Sequence, residues 1–196
     1  LGGGVQLAHR IALGDGRALR LTGGIEHERM REDRQGYVND AGSATTLKRD
    51  ELNNVRSLDV YAQAGVDLSP QWALTFGVRS SRVRFETRDR YVREDDPATP
   101  DIDETNPLDS GSFSYRATNP VLGLTWRATA DLNLYANLGR GFETPTFTEL
   151  AYRPAPASGM NFDLRAARSR HAEIGAKWKI AAGQRPDRVV LDPNRI

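Results

Sequence analysis

Between residues 57 and 68 the sequence alternates strictly between polar and apolar side chains. The apolar positions are Leu58, Val60, Ala62, Ala64, Val66 and Leu68. A repeat of two residues predicts a β-strand with one apolar and one polar face, because successive side chains point to opposite sides of a strand. The repeat resumes after Ser69–Pro70–Gln71, whose proline cannot donate a hydrogen bond to a neighbouring strand. Two strands joined by a tight turn are therefore expected here.

Seven segments of the chain carry this repeat. They lie near residues 4–13, 18–32, 52–68, 71–89, 112–127, 131–141 and 168–180. The connections alternate between tight turns, at 14–16, 69–71 and 128–130, and long polar segments, at 33–51, 90–111 and 142–167. In an up-and-down sheet this order places all tight turns at one end and all long loops at the other, as in outer-membrane barrels.

We therefore predict an all-β fold. Residues 1–180 are expected to form an antiparallel up-and-down meander that makes a partial, open transmembrane β-barrel of about seven strands. Residues 181–196 are polar and rich in proline and arginine, without alternation, and are expected to form an irregular or disordered tail.

The composition agrees with this class and excludes several others. Hydrophobic residues make up 38% of the 196 residues and charged residues 27%, which suits a barrel because only one face of each strand has to be apolar. The net charge of +1 creates no field that would attract nucleic acid, and the lack of cysteine excludes disulfides and thiolate chemistry. No apolar run approaches the ~18 residues of a membrane helix.

The three tryptophans, Trp72, Trp126 and Trp178, fall on apolar positions at the tight-turn end, where an interfacial aromatic girdle would lie. In a membrane barrel the apolar positions must face lipid on the convex side. These positions are Leu58, Val60, Ala62, Val66, Leu74, Phe76, Leu124, Leu132, Leu134, Ile174 and Trp178. The positions expected on the concave side are Asp59, Tyr61, Gln63, Asn133, Tyr135, Asn137, Glu173 and Lys177. A soluble sheet would instead bury the apolar set in its interior.

Two stretches of sequence carry a family resemblance. "NLYANLGRGFETPTFTELAYR", followed by "NFDLRAARSRHAEIGAKW", resembles the C-terminal half of TonB-dependent outer-membrane receptors. The matching residues are Leu134, Tyr135, Ala136, Gly139, Arg140, Gly141, Phe142, Pro145, Thr146, Phe147, Glu149 and Leu150, and then Leu164, Ala167, Arg168, Ser169, Glu173, Gly175 and Lys177. The agreement is specific between residues 131 and 178 and covers about residues 18 to 180.

The resemblance implies a bacterial outer-membrane receptor for a scarce nutrient, chiefly a ferric siderophore. Such receptors have an N-terminal plug inside a barrel of about 22 strands, and a segment before the plug engages TonB. Residues 1–196 carry neither feature, and Ile196 is not the aromatic residue on which such barrels usually end. We therefore expect a fragment that does not transport alone, that contacts outer-membrane lipid, and that reaches TonB only through missing N-terminal segments. No cofactor is expected.

Arginine and tyrosine at the loop ends of strands suit an anionic, aromatic iron chelate. The candidate ligand-binding residues are Arg31, Arg34, Tyr37, Tyr91, Arg93, Tyr152 and Arg153. A solvated or lipopolysaccharide-facing rim would have the same composition.

The sequence gives little indication of an enzyme. Its three histidines are scattered over separate strands, and the acidic loop that holds Asp101, Asp103 and Asp109 lacks the glycine and glutamate of an EF-hand. Two other functions stay open beside the receptor: a passive porin-like barrel and a soluble β-sandwich binding protein.

Overall fold

The computed structural model describes residues 1–91, 110–151 and 160–180. Seven strands form one antiparallel sheet in which each strand pairs with its neighbours in sequence. They are β1 (Gly2–Gly14), β2 (Arg17–Asp40), β3 (Ser43–Asp67), β4 (Trp72–Asp89), β5 (Gly111–Arg127), β6 (Leu132–Glu143) and β7 (Ala167–Trp178). The predicted all-β, up-and-down meander is confirmed. The predicted tail at 181–196 lies outside the described residues.

Among the residues that the structure describes, no helix is both long enough and apolar enough to cross a membrane.

The connection between β2 and β3 differs from the prediction. Residues 33–51 were expected to form a long loop, but both strands continue through them and meet at a two-residue turn, Ala41–Gly42, with φ of 48° and 91°. A hairpin turn of this type needs positive φ at both central residues, which glycine adopts without strain. The Asn39 side chain also accepts a hydrogen bond from the Gly42 N–H at 2.8 Å. Because both faces of this hairpin are polar, it has no apolar repeat that sequence analysis could detect.

The two faces of the sheet differ as predicted. Large apolar side chains stand exposed on one side, which we call the apolar face; they include Leu58, Val60, Phe76, Leu124, Ile174 and Trp178. On the opposite side, the polar face, Asp59, Asp67 and Ser81 are buried. Trp72 and Trp126 pair directly across β4 and β5 and stack with their ring centroids 5.6 Å apart, at the tight-turn end of the apolar face.

Side chains on the polar face meet across an intervening strand. Arg79 of β4 contacts Glu26 of β2 at 2.8 Å, and Tyr61 of β3 donates to Gln6 of β1 at 3.1 Å. Such contacts are favoured on the concave side of a curved sheet, where side chains converge, so we infer that the polar face is the inside of the sheet's curve. The apolar side chains therefore lie outside, as in a membrane barrel, and not in a buried core.

One short helix, α1 (Phe147–Leu150), interrupts the connection between β6 and β7. Its N-cap, Thr146, accepts a hydrogen bond from the Glu149 N–H, while the Glu149 carboxylate accepts one from the Thr146 N–H at 2.7 Å. This reciprocal pair is a capping box, and its T-x-x-E pattern is visible in the sequence. The helix packs Phe147 and Leu150 onto the sheet.

Candidate functional site

The polar face forms the wall of a candidate site, and its tight-turn end is held together by Asp67. This carboxylate, at the end of β3, accepts hydrogen bonds from Arg20 at 2.9 Å, from Arg127 at 3.0 Å and from the buried Ala18 N–H at 3.2 Å. The three donors belong to β2, at Ala18 and Arg20, and to β5, at Arg127. One acidic side chain of β3 thus contacts β2 on one side and reaches across β4 to β5 on the other.

A second network lies further along the same face. Asp59 accepts a hydrogen bond from Arg79 at 3.1 Å and a very short one from the Ser81 hydroxyl, and Arg79 also reaches Glu26. These hydrogen bonds and ion pairs join side chains of β2, β3 and β4 to one another. The wall is polar and ordered, and suited to contact with water or with another polar protein surface.

The long-loop end of the polar face has a different character. Phe85 of β4 and Tyr115 of β5 meet Phe147 and Leu150 of α1, together with Met160, in the one apolar cluster buried within the described residues. Phe85 packs edge-on against Tyr115 and against Phe147, with centroids 5.7 and 5.1 Å apart. The described residues of the connection after β6 therefore pack back onto the sheet.

Two further contacts fix this segment. The Tyr115 hydroxyl donates to the Leu164 carbonyl at 2.8 Å. The hydrogen bonds that Glu149 accepts, first from the Thr146 N–H and then from the Thr146 hydroxyl, lower the pKa of its carboxyl group.

Phe113 packs against Tyr115 with centroids 4.9 Å apart but keeps 39% of its surface exposed. An open aromatic surface beside the loop end is available to a ligand.

The predicted ligand-binding residues do not all lie on this face. Arg34 lies opposite Glu51 in the register of β2 and β3, and its side chain is on the polar face. Arg31 contacts Asp33 at 3.5 Å, and Tyr37 donates to Gln35 at 2.8 Å, which places both on the opposite face of the hairpin.

Tyr91 follows β4, and its backbone N–H donates to Asp89 at 2.9 Å. Arg93, Tyr152 and Arg153 lie outside the described residues.

Sequence reasoning missed the aromatic cluster and the ion pairs that Arg90 makes with Asp33 and Asp50. Arg90 binds Asp33 and Asp50, each at 2.9 Å, and fastens the end of β4 to the β2–β3 hairpin. These bonds, the one to Asp33 first, raise the pKa of Arg90 above its ordinary value. The cluster could have been found from Phe85 and Tyr115, which are aromatic residues on the polar face of otherwise alternating strands. No group of three or more histidine, cysteine, aspartate or glutamate side chains converges as a metal site in the described part of the chain.

Comparison with known proteins decides the family. The family model for the TonB dependent receptor-like β-barrel matches residues 1–184. The chain belongs to this family. TonB-dependent receptor barrels are proteins of the bacterial outer membrane, and the family is one of receptors and transporters.

Relatives of known sequence or structure agree with this family. The chain is 30% identical over 124 residues to the probable TonB-dependent receptor BfrD of Bordetella pertussis, a match that covers 63% of this chain and 15% of BfrD. It superimposes on the ferric citrate transporter FecA with a TM-score of 0.65 at 17% identity, over 90% of this chain and 24% of FecA. It also superimposes on the closed form of the ferric-catecholate import receptor Fiu of Escherichia coli K12. The TM-score is 0.63 at 14% identity, over 92% of this chain and 29% of Fiu. At these identities the structural likeness concerns the fold, and the chain spans less than a third of each TonB-dependent receptor compared.

Proposed function

We propose that the chain is part of an outer-membrane receptor that takes up a ferric siderophore or a similar small metal chelate, and that it is not an enzyme. The observation that carries the proposal is the aromatic cluster on the polar face at the long-loop end, with Phe113 left open to solvent. Aromatic faces suit the rings of a catecholate, and the guanidinium of Arg34 on the same face suits its negative charge. FecA and Fiu, with which the chain shares its fold, are named for ferric citrate and ferric catecholate.

We also propose that the seven strands do not transport alone. Within the described residues β1 and β7 each pair on one side only, so the sheet is open. An open sheet exposes backbone groups that must be paired inside a membrane, and a closed barrel satisfies them. Further strands and a plug would complete the receptor, and TonB would act through segments that precede this barrel region.

A binding experiment with matched variants tests the ligand proposal. Purified receptor in detergent is titrated with ferric catecholate and with the iron-free compound, and affinity is followed by calorimetry. Arg34→Ala and Phe113→Ala are expected to weaken ferric-chelate binding about tenfold each, since each removes one charged or aromatic contact. Arg31→Ala, on the opposite face, should change the affinity less than about twofold.

Equal losses from Arg31→Ala and Arg34→Ala would contradict the placement of the ligand on the polar face. Absence of ferric-chelate binding by the unaltered receptor would contradict the siderophore proposal itself.

Uptake separates a coupled receptor from a passive porin-like barrel. Cells that carry the gene are given radioactive iron as the chelate, with and without a proton uncoupler. Coupled uptake stops when the gradient is removed, whereas diffusion through a passive barrel continues.

A further inference from the structure

A group of oxygen-bearing side chains lies on the polar face beside the aromatic cluster, on the side of the long-loop end. Glu32 of β2, Asn53 of β3 and Thr87 of β4 stand directly opposite one another in the register of the three strands. Glu51 lies two residues along β3 from Asn53 and therefore points to the same face. We call Glu32, Glu51, Asn53 and Thr87 the oxygen cluster. The uptake of a nutrient does not by itself explain it.

Two oxygen atoms of the oxygen cluster are buried without a hydrogen-bond partner. Asn53 has no exposed surface, and Thr87 keeps only 2% of its surface exposed. Neither the Oδ1 atom of Asn53 nor the hydroxyl of Thr87 makes a hydrogen bond. Because nearly all buried polar atoms in folded proteins have a partner, two unpaired ones on neighbouring strands indicate a bound water or ion.

The two carboxylates of the oxygen cluster are poorly compensated. The Asn53 side-chain nitrogen donates to the Oε2 atoms of Glu32 and Glu51, each at 3.4 Å, which is long for an N–H···O bond. Arg49 pairs only with the other oxygen of Glu51, at 3.0 Å. Among the residues that the structure describes, Glu32 makes no ion pair, and neither does Arg34, which stands opposite Glu51. Since Glu51 is only 5% exposed, its charge calls for a partner.

A divalent cation fits this set of atoms better than a water molecule does. A water could donate to the Asn53 oxygen, but it would leave the two carboxylate charges without compensation. Ca²⁺ takes about six to eight oxygen ligands from carboxylates, amides and water in flexible geometry, whereas Mg²⁺ requires a near-ideal octahedron. The oxygen cluster contains no histidine or cysteine, the ligands typical of zinc.

A half-turn of the Asn53 amide would complete such a site. It brings the amide oxygen to the position of the amide nitrogen, beside both carboxylates. Two carboxylates and one amide oxygen then surround a common point, and water supplies the other ligands. The amide nitrogen leaves the carboxylates, and the hydroxyl of Thr87, directly opposite on β4, can accept its hydrogen bond. Both unpaired atoms thereby gain a partner.

We propose that the oxygen cluster is a calcium site, in which Glu32, Glu51 and the amide oxygen of Asn53 bind the ion and Thr87 positions the amide. The long loops of an outer-membrane barrel face the outside of the cell. With only two carboxylates, the site binds weakly, with a dissociation constant of ~0.1–1 mM, as extracellular calcium modules do.

The ion fixes the base of the β2–β3 hairpin. β3 pairs with β4 only as far as Glu51 and Asp89, whereas the hairpin continues to its turn between Asp40 and Ser43. A two-stranded hairpin is only marginally stable by itself. Because the ion joins Glu32 of β2 to Glu51 of β3, calcium slows hydrogen exchange in the hairpin, at residues 36–48.

Calcium binding to matched variants tests the site. Receptor purified in detergent is freed of metal with a chelator and titrated with calcium chloride, and the affinity is followed by calorimetry. Glu32→Gln removes one carboxylate ligand and should weaken binding about tenfold. The control, Glu28→Gln, removes a carboxylate four residues away on the same face of β2 and should change the affinity less than about twofold in ~0.15 M salt, which screens distant charges. Equal losses in the two variants would overturn the proposal.

A gain of affinity gives a second, independent arm. Asn53→Asp adds a third carboxylate and should tighten calcium binding about tenfold, a result that stands even if Glu32→Gln fails to fold. If Asn53 served only to donate hydrogen bonds to the two carboxylates, this change would add repulsion and bring no gain. Calcium should also slow exchange at residues 36–48 in the unaltered receptor but not in Glu32→Gln. No gain in Asn53→Asp, or exchange that calcium leaves unchanged, would contradict the calcium site.

Discussion

Asp67 offers a direct test of how the strands are fastened at the tight-turn end. Its side chain is 8% exposed and accepts three hydrogen bonds, two from arginines and one from the Ala18 N–H. Asp67→Ala removes all three acceptor contacts. Asp67→Asn keeps a carbonyl oxygen for the Ala18 N–H but removes the charge. Asp15→Asn is the matched control, because Asp15 lies at the same end, has an arginine at 3.6 Å and is 89% exposed.

The expected magnitudes follow from burial. The two arginines are 52% and 39% exposed, so solvent limits each pair to at most about 1 kcal/mol. Ala18 is fully buried, and a buried N–H without an acceptor costs about 1–3 kcal/mol. Asp67→Ala should therefore lower the free energy of unfolding by roughly 2–4 kcal/mol and Asp67→Asn by about 1–2 kcal/mol. Asp15→Asn should stay below about 0.5 kcal/mol.

The assay is urea unfolding of the receptor in detergent, followed by tryptophan fluorescence. Trp72 and Trp126 lie at this end of the sheet and report on it. The loss of unfolding free energy should be largest for Asp67→Ala, smaller for Asp67→Asn and smallest for Asp15→Asn. If Asp67→Ala destabilises no more than Asp15→Asn, the network around Asp67 does not fasten the strands.

Three other outcomes are expected. Phe76→Arg, near the middle of the apolar band, should lower the free energy of unfolding in lipid by about 2–4 kcal/mol. Thr75→Arg, on the polar face, should lower it much less. Unfolding in vesicles compares the two variants, and equal losses would count against a lipid-facing Phe76. Leu150→Ala should lower the local stability of the α1 segment by about 2–5 kcal/mol, because its side chain has no exposed surface, and unchanged hydrogen exchange at the Ala151 N–H would contradict this. The lowered pKa of Glu149 means that its helix cap is fully formed above the ordinary pKa of 4.5 and is lost as the pH falls through the lower pKa of the folded state. Hydrogen exchange of the α1 segment should therefore become faster at that lower pH. In Glu149→Gln this pH-dependent increase should disappear.

Sequence analysis predicted the strands wherever one face was apolar. The segments at 71–89 and 112–127 agree with β4 and β5 to within one residue at each end. It failed at 33–51, where both faces of the hairpin are polar and the repeat of two residues leaves no trace. The turn at Ala41–Gly42 was also hard to predict from local sequence, because alanine rarely adopts the positive φ that this turn needs.

The candidate site was less predictable than the fold. Composition selected arginines and tyrosines near strand ends, but Arg31 and Arg34 are separated by three positions, and an odd separation in a strand places side chains on opposite faces. The aromatic cluster depends on how residues 147–151 and 160–164 pack onto β4 and β5, a contact between distant parts of the chain. The Tyr115 hydrogen bond to the Leu164 carbonyl is of this kind. Periodicity carries no information on such contacts.

The central claim, that the apolar face meets lipid and the polar face the interior, can be measured residue by residue along β3. The chain has no cysteine, so single cysteines at successive positions from 58 to 66 can each carry a spin label in lipid vesicles. Collision with oxygen, which concentrates in lipid, should peak at Leu58, Val60, Ala62, Ala64 and Val66. Collision with a water-soluble nickel complex should peak at the positions between them. The account is contradicted if the two periodicities are exchanged, or if neither reagent distinguishes odd from even positions.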